Sequence, residues 1–151
     1  MKILVSGFEA FDGLEINPSQ QLVEALSDVE TIVLPVTFKD SFDVLKNKID
    51  EIKPDYVICT GLASIRDEIT PERIAINLIE ARIPDNSGAQ PIGEKIIPDG
   101  PDGLFASLPI KNMAKACNDA GVNASVSNTA GTYVCNYLMY QVIDYGNQKG
   151  Q

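Results

Sequence analysis

The stretch "KILVSG", residues 2–7, is the first indication of the fold class, because its apolar run is short and has clear ends. Three consecutive aliphatic residues, two of them β-branched, stand between a lysine and a Ser-Gly pair, which is typical of a short buried strand. The segment "NPSQQLVEAL", residues 17–26, follows with a helical pattern in which Asn17 can cap and Pro18 suits the first turn. A buried strand followed by a helix is the repeating unit of α/β folds.

The same alternation continues along the chain. Further strands are predicted at "ETIVLPV" (30–36) and "DYVICTG" (55–61), with a helix at "SFDVLKNKIDEI" (41–52) that stops before Pro54. The predicted inward faces of the two helices comprise Leu22, Val23, Leu26, Phe42, Leu45, Ile49 and Ile52. Because parallel strands need crossover helices, we predict a three-layer α/β/α fold around a mostly parallel, twisted sheet.

The second half of the chain is less regular. The segment "ERIAINLIEARI" (72–83) alternates apolar and polar positions and suits a strand, and the turn-rich "PDNSGAQP" (84–91) follows it. "KIIPDGPDGLF" (95–105) predicts a hairpin or a long loop, because two Pro-Asp-Gly turns fall close together. The last predictions are a helix at 109–121, a strand at 123–129 and a helix at 130–146. Without repeats or linkers, we predict a single domain over residues 1–151.

The charge of the chain excludes two classes of partner. The formal net charge is −9 over 151 residues. Binding to a nucleic-acid backbone or to an anionic membrane needs clustered Lys and Arg, so neither nucleic acid nor a membrane is an expected partner. No apolar run reaches the length of about 18 residues that a membrane span needs, and the N-terminal run is interpreted as a strand rather than a signal peptide.

The cysteine pattern favours free thiols. Cys59, Cys117 and Cys135 are an odd number at wide spacings, and the sequence contains no histidine. A zinc site or a disulfide framework is therefore not expected, no metal is predicted, and reduced thiols suit a cytoplasmic protein. Cys59, in an apolar strand, and Cys117, in the middle of a helix, are interpreted as packing residues.

Cys135 is placed differently, after a Gly-containing turn and near the start of the last predicted helix. The first turn of a helix has unpaired N–H groups and a positive dipole end, which favour a thiolate and can stabilise an oxyanion. We therefore expect the pKa of Cys135 to lie below those of Cys59 and Cys117. A small residue packed into a core is the other interpretation, and the local pattern leaves both open.

A charged pair stands in the predicted strand of the second half. "ITPERIAIN" (69–77) places Glu72 beside Arg73 among apolar residues, as an edge-exposed pair or as functional side chains. In "IEARIPDNSG" (79–88), Arg82 precedes a predicted turn. The Pro, Asp, Asn and Gly that follow are common turn residues, so they need no functional explanation. The local patterns alone therefore assign neither segment to a site.

Two aromatic residues follow the first predicted strand. "SGFEAFDG" (6–13) places Phe8 and Phe11 where parallel α/β sheets bind their ligands, outside the carboxyl ends of the strands. The two rings suit a pocket for a small flat ring, or they pack against the core.

Four blocks, taken together, resemble the pyroglutamyl peptidase I family, also called pyrrolidone carboxyl peptidase. They are "SGFEAFDG…NPS", "ERIAIN…ARIPDNSG", "SLPI" and "SNTAGTYVCNYLMY", in this order from Met1 to about Gly146. The resemblance implies an enzyme that removes N-terminal pyroglutamyl residues from peptides. It also implies a cytosolic homo-oligomer, a tetramer, with no metal or organic cofactor.

The resemblance also implies roles for five residues. Cys135 falls on the nucleophile of the "G-x-Y-x-C-N" block, and Glu72 falls on the glutamate that orients the catalytic histidine. Arg82 falls on an arginine that helps to stabilise the oxyanion. Phe8 and Phe11 fall on two phenylalanines that sandwich the pyrrolidone ring.

The sequence departs from the family pattern at three places. Asp12 stands in the opening block where the family has a glycine, and Ser64, Ile65 and Arg66 replace its "G-R" segment. The family's "G-F-I-H-V-P" block, which supplies the histidine, is not found before the final "YGNQKGQ". We therefore expect a C-terminally shortened relative that lacks the strand and the helix around that histidine.

Three functions remain open at this point. The first is a cysteine peptidase scaffold acting on pyroglutamyl peptides, with a triad that is incomplete as written. The second is a catalytically inactive relative that binds pyroglutamyl ends or assembles with full-length subunits. The third, a small-molecule-binding α/β domain without thiol chemistry, leaves the joint presence of Glu72, Arg82 and Cys135 unexplained.

Overall fold

The computed structural model describes residues 1–150, and its contacts divide the chain into two units. One unit consists of Met1–Leu62 with Ala81–Ile92, and the other consists of residues 63–80 with those from 93 onward. The strands are β1 (Ile3–Phe8), β2 (Glu30–Leu34), β3 (Tyr56–Cys59), β4 (Ile74–Ile76), β5 (Ile79–Glu80), β6 (Ile92–Glu94) and β7 (Gly103–Phe105). The helices are α1 (Pro18–Ala25), α2 (Ser41–Ile52), α3 (Ile110–Asp119) and α4 (Val134–Lys149).

The first unit contains a parallel three-stranded sheet with the order β2-β1-β3. The central strand places Leu4 beside Glu30 on one side and Val57 on the other, and Leu4 is fully buried. Its continuous aliphatic run suits a central strand because both faces of a parallel sheet are covered. The predicted α/β class with a mostly parallel sheet is thereby confirmed.

The two helices of this unit form where the sequence predicts them. Asn17 caps α1 by accepting a hydrogen bond from the Ser19 backbone N–H at 3.0 Å. Helix α2 ends at Ile52, and Lys53 adopts a left-handed conformation at φ 47°. The α region is disfavoured for a residue that precedes proline, so the proline at position 54 explains this helix end.

The predicted inward face of α1 is partly wrong. Val23 is buried, but Leu22 is 46% exposed and Leu26 is 39% exposed. The helix approaches β1 so closely that a Cβ on Gly7 would lie 2.2 Å from the carbonyl oxygen of Ser19. Ser19 and Val23, four residues apart, therefore share the buried face, and the leucines lie on the adjoining face.

In the second unit, β4 pairs antiparallel with β7, and Ala75 lies opposite Leu104. The hairpin considered for residues 95–105 is not formed, because β7 pairs with β4 instead of with its own neighbours. The long strand predicted over 72–83 is also broken between β4 and β5. At the break, Asn77 bonds the backbone of Ile97 twice, donating to its carbonyl at 2.7 Å and accepting from its N–H at 2.9 Å.

The strand predicted over residues 123–129 is wrong. That segment makes only isolated parallel bridges, Ile69 to Ala124 and Glu72 to Ser127. The side chain of Asn118 bonds both backbone groups of Ala124, accepting at 3.0 Å and donating at 2.8 Å. Between the two bridges the ladder is interrupted at Pro71, which accepts from the Ser127 N–H but has no N–H of its own to donate.

Helix α4 begins within the predicted segment and supplies part of the core of its unit. Val134, Leu138 and Tyr140 are buried, and the Tyr140 hydroxyl donates to the Pro101 carbonyl at 2.7 Å. Across residues 1–150, no helix combines the length and the apolar character that crossing a membrane requires. The single domain predicted over the whole chain stays a prediction.

Candidate active site

Cys135 is the second residue of α4 and lies in its first turn, as the sequence predicts. Val134 and Asn136 on either side are each 1% exposed, whereas Cys135 itself is half-buried. The first turn carries N–H groups without helical acceptors and the positive end of the helix dipole. Cys135 is thus partly accessible at a position that suits a thiolate.

Asn136 fixes the first turn of α4 to the strand region of the same unit. Its side-chain oxygen accepts from the Ile76 N–H at 3.0 Å, and its amide group donates to the carbonyls of Ile76 at 2.9 Å and Leu78 at 3.2 Å. No sequence pattern assigned a role to Asn136. The available signal was its place directly after the cysteine in the quoted block "TYVCN".

Glu72 precedes β4 and is half-buried, with 21% of its side chain exposed. Its Oε1 accepts from Arg66 Nη1 at 2.6 Å, while Oε2 is buried without a hydrogen-bond partner among residues 1–150. A buried acceptor without a donor costs about 1–3 kcal/mol, so this oxygen favours a ligand that brings an N–H or O–H group. The edge-exposed pair with Arg73 is not formed, because Arg73 Nε donates to Asn128 Oδ1 at 2.8 Å.

The backbone around Glu72 is attached to the segment that leads into α4. The Ser127 N–H donates to the Pro71 carbonyl at 3.0 Å, and the Arg73 N–H donates to the Ser127 carbonyl at 2.8 Å. These two bonds flank Glu72 and form its parallel bridge with Ser127. The acid and the thiol are therefore both held in this unit by backbone and side-chain hydrogen bonds.

Phe8 and Phe11 belong to the other unit and differ in accessibility. Phe8 is the last residue of β1 and is 4% exposed, whereas Phe11 is half-buried in the following loop. The Leu14 N–H donates to the Phe11 carbonyl at 3.1 Å and closes a turn. Its central residues Asp12 and Gly13 have φ values of 53° and 73°, the sign pattern of a type I′ turn, in which Asp-Gly is a favoured pair.

Polar residues outside the predicted set hold this loop. The Asn86 side chain donates to the Ala10 carbonyl at 2.9 Å and to Glu9 Oε1 at 3.0 Å, and Asn17 donates to the Glu9 carbonyl at 3.0 Å. Glu9 Oε1 also accepts from the Val36 N–H at 3.2 Å. Glu9, Asn17 and Asn86 stand inside the family blocks quoted above, which could have indicated a role. The asparagines were instead attributed to turns and helix caps.

Arg82 is exposed, directly after the buried Ala81 and before a turn organised by Asp85. The buried Asp85 carboxylate accepts from the Phe38 N–H at 2.9 Å, and from the N–H and hydroxyl of Ser87 and the Ala89 N–H. Desolvation raises the pKa of Asp85, but the hydrogen bonds from these groups outweigh it, and the pKa lies below its ordinary value.

The other two cysteines are placed as the packing interpretation expects. Burial raises the pKa of Cys59 to about 11, and the Ser6 hydroxyl opposes part of that shift. Cys117 lies within α3 and is half-buried. At neutral pH Cys59 is therefore a protonated thiol and a poor nucleophile.

The five predicted site residues thus divide between the two units. Glu72 and Cys135 lie in one unit, and Phe8, Phe11 and Arg82 lie in the other. The roles assigned to these residues stay predictions.

Comparison with known proteins identifies the family of this chain. The sequence model described as pyroglutamyl peptidase matches residues 1–151. The pyrrolidone-carboxylate peptidase of Lactobacillus johnsonii is 51% identical over 148 residues, which are 94% of this chain and 69% of the relative. The enzyme of the same name from Streptococcus pyogenes is 49% identical over 149 residues, or 95% and 69% of the two chains.

Solved structures agree with the family match. The crystal structure of Bacillus amyloliquefaciens pyroglutamyl peptidase I superposes with a TM-score of 0.92 at 42% identity, covering 97% of this chain and 75% of that one. A mutant pyrrolidone carboxyl peptidase from Pyrococcus furiosus gives a TM-score of 0.94 at 43% identity, with coverage of 99% and 76%. The chain belongs to the pyroglutamyl peptidase family.

Proposed function

We propose that this chain hydrolyses the amide bond that follows an N-terminal pyroglutamyl residue, with Cys135 as the nucleophile. The observation that carries the proposal is the half-buried thiol in the first turn of α4, within a chain of the pyroglutamyl peptidase family. A lowered thiol pKa and nearby N–H donors are the two properties that acyl transfer to sulfur requires.

The reaction proceeds in two steps. The Cys135 thiolate attacks the pyroglutamyl carbonyl carbon, the C–N bond breaks, and the amine leaves after it gains a proton. Water then adds to the thioester, the sulfur leaves as the thiolate, and pyroglutamate is released. N–H groups in the first turn of α4 stabilise the negative oxygen formed in each step. The family resemblance assigns a share of this role to Arg82.

Glu72 orients the group that moves the proton. Its buried Oε2, without a donor among residues 1–150, accepts an imidazole N–H and holds that ring in one tautomer. None of the 151 residues is a histidine, so the assay must include added imidazole as one of its conditions.

Phe8 and Phe11 recognise the substrate ring. The pyroglutamyl ring is small, flat and uncharged, so aromatic faces suit it better than ion pairs. With Phe8 buried and Phe11 half-buried, Phe11 is the more accessible of the two rings and the better target for substitution.

Release of a coumarin from a pyroglutamyl-coumarin amide tests the proposal. We expect turnover that is abolished in Cys135→Ser and is raised at least about tenfold by added imidazole, which supplies a general base. Cys117→Ser is the matched control and keeps the wild-type rate, because Cys117 lies within α3. Equal rates for wild type and Cys135→Ser under both conditions would contradict the proposal.

A second candidate function is binding of pyroglutamyl ends without turnover, or assembly with full-length subunits. The absence of histidine from the 151 residues favours this alternative over unaided catalysis. Calorimetry with pyroglutamate distinguishes the two. Binding that is lost in Phe11→Ala, together with no turnover in imidazole, would support the binding function.

We also propose a cytoplasmic homo-oligomer, with a tetramer as the expected size. The support is the family membership, together with three thiols compatible with a reducing compartment. Light scattering after size-exclusion chromatography tests the assembly. A mass equal to the 16.4 kDa chain at all concentrations would contradict it.

A further inference from the structure

Arg66 connects three parts of the unit that carries Glu72 and Cys135. Its Nη1 donates to Glu72 Oε1 at 2.6 Å and to Thr70 Oγ1 at 2.7 Å, and its Nη2 donates to the Thr129 carbonyl at 2.9 Å. The side chain of Arg66 is 26% exposed and that of Glu72 is 21% exposed, so the ion pair is largely shielded from water. The guanidinium thus joins the acid to the segment that leads into α4.

The geometry needs an arginine rather than a point charge. A guanidinium presents five N–H donors in one rigid plane, so two of its nitrogens can hold separate acceptors at fixed directions. A lysine ammonium on a flexible stem reaches one of these acceptors without fixing its orientation toward the other. Replacement by lysine therefore keeps the positive charge but loses the planar array of N–H donors.

The ion pair also decides which oxygen of Glu72 remains available. Arg66 engages Oε1, while Oε2 is buried and has no donor in the part of the chain that the structure describes. The hydrogen bond to Oε1 and the burial of Oε2 together restrict rotation of the carboxylate, so the second oxygen keeps its direction. The orientation of the proton-transfer partner of Glu72 then depends on Arg66.

We propose that Arg66 is a positioning residue for the reaction: it fixes the Glu72 carboxylate and the Thr129 carbonyl in one arrangement, so that Glu72 Oε2 and Cys135 keep a productive geometry. The inference rests on the proposed function and adds a residue to which the family resemblance assigned no role. Arg66 acts through Glu72 and through the segment before α4.

Arg73 provides a matched control in the same unit. It is also half-buried, and its Nε donates at 2.8 Å to Asn128, the neighbour of Thr129. Both arginines thus tie the region around Glu72 to the same segment, but the ion pair with Glu72 is made by Arg66, whereas the Arg73 side chain bonds Asn128. A merely structural role for Arg66 predicts equal effects of the two substitutions.

The experiment compares kcat and KM for the pyroglutamyl-coumarin amide, with imidazole present, in wild type, Arg66→Met, Arg66→Lys and Arg73→Met. We expect Arg66→Met to lower kcat about 10- to 100-fold with KM within about twofold, the size of effect that a small misplacement produces. Arg66→Lys recovers part of kcat, and Arg73→Met keeps the wild-type kcat. Thermal midpoints of all variants are measured in parallel.

A double-mutant cycle with Glu72→Gln separates positioning from folding. If Arg66 acts through Glu72, Arg66→Lys lowers kcat much less in the Glu72→Gln background than in wild type. The lysine variant also keeps the test valid if Arg66→Met fails to fold.

Three results would overturn the inference. If the wild type turns over substrate, equal kcat losses for Arg66→Met and Arg73→Met refute the role of Arg66. Additive effects in the cycle do the same. The proposed function stands in both cases. No turnover in wild type, with or without imidazole, refutes the proposed function and this inference together.

Discussion

At the scale of single residues, asparagine side chains hold loops and the start of a helix in place. Asn77, Asn86 and Asn136 bond backbone groups that lie 20, 76 and 60 residues away in sequence, respectively. Each bond attaches a loop or a helix start to a distant segment. Sequence patterns alone explain asparagine as a turn residue, so these partners become visible only in the folded chain.

Alkylation by iodoacetamide should separate the cysteines. With a pKa of about 11, Cys59 is about one-thousandth ionised at pH 8, and the thiolate is the reacting form. We expect Cys135 to be labelled at least about tenfold faster than Cys59, as read by peptide mass mapping. Labelling in concentrated urea is the control, in which all three cysteines react alike. Faster labelling of Cys59 in the native protein would refute the assignment.

The pKa of Asp85 predicts a loss of stability in acid. Because its pKa in the folded state is below the ordinary value of 3.8, its contribution is present above that pH and is lost as the pH falls through the folded-state pKa. We expect Asp85→Asn to be less stable than wild type in urea at about pH 6, with a smaller difference at about pH 3.

The matched control for Asp85→Asn is Asp12→Asn. Asp12 is exposed, and its positive φ suits asparagine equally well. The stability difference between wild type and Asp12→Asn should therefore not follow the Asp85 pattern. A constant Asp85→Asn difference across the pH range would show that its carboxylate charge does not matter.

At the scale of elements, close backbone approach decides how α1 lies on β1. The helix meets the strand where Gly7 has no side chain, and the Ser19 hydroxyl accepts from the Phe8 N–H at 2.9 Å. This contact lies directly before the loop that carries Phe11. The same loop is attached through Asn17, the N-cap of α1. The strand end and the helix start thus jointly hold the loop of the predicted substrate pocket.

Gly7→Ala should be strongly destabilising. The added Cβ would lie 2.2 Å from a backbone oxygen, which cannot move aside as a flexible side chain can. We expect a loss of about 3 kcal/mol or more in the free energy of unfolding, at or above the upper end of overpacking effects. Urea unfolding followed by circular dichroism measures the change.

Gly13→Ala is the control for this contact. The methyl group enters open space there, so only the positive φ of 73° opposes it, at about 1–2 kcal/mol. If the Gly7→Ala loss were no larger than that of Gly13→Ala, the close approach of α1 to β1 would be wrong.

At the scale of the whole molecule, each unit is built from two separate stretches of chain. The chain passes between the units after residues 62, 80 and 92. Neither unit is therefore one continuous segment of the chain. The sequence contains no recognisable linker, and this is the basis for predicting a single domain.

We expect the two units to unfold in one cooperative transition. Four of the five tyrosines, Tyr133, Tyr137, Tyr140 and Tyr145, report on one unit by fluorescence, and labelling of Cys59 reports on the other. Coincident urea midpoints for the two probes would support the single domain. Midpoints that differ beyond experimental error would refute it.

Local sequence patterns were enough to predict the α/β class, the helices α2 and α4 and the place of Cys135 in the first turn of α4. These features depend on local periodicity, on capping and proline signals and on continuous apolar runs, all of which are encoded over a few neighbouring residues. The family blocks likewise singled out Glu72 and Arg82 without coordinates.

The polar residues that hold these groups could be identified only in the folded chain. The Arg66 contact with the Thr129 carbonyl, the Asn136 contact with β4, the pairing of β7 with β4 and the outward direction of Leu22 all depend on segments far apart in sequence. Local propensity carries no information about such partners, because each contact forms only when the chain brings two distant backbones or side chains within hydrogen-bond or packing distance.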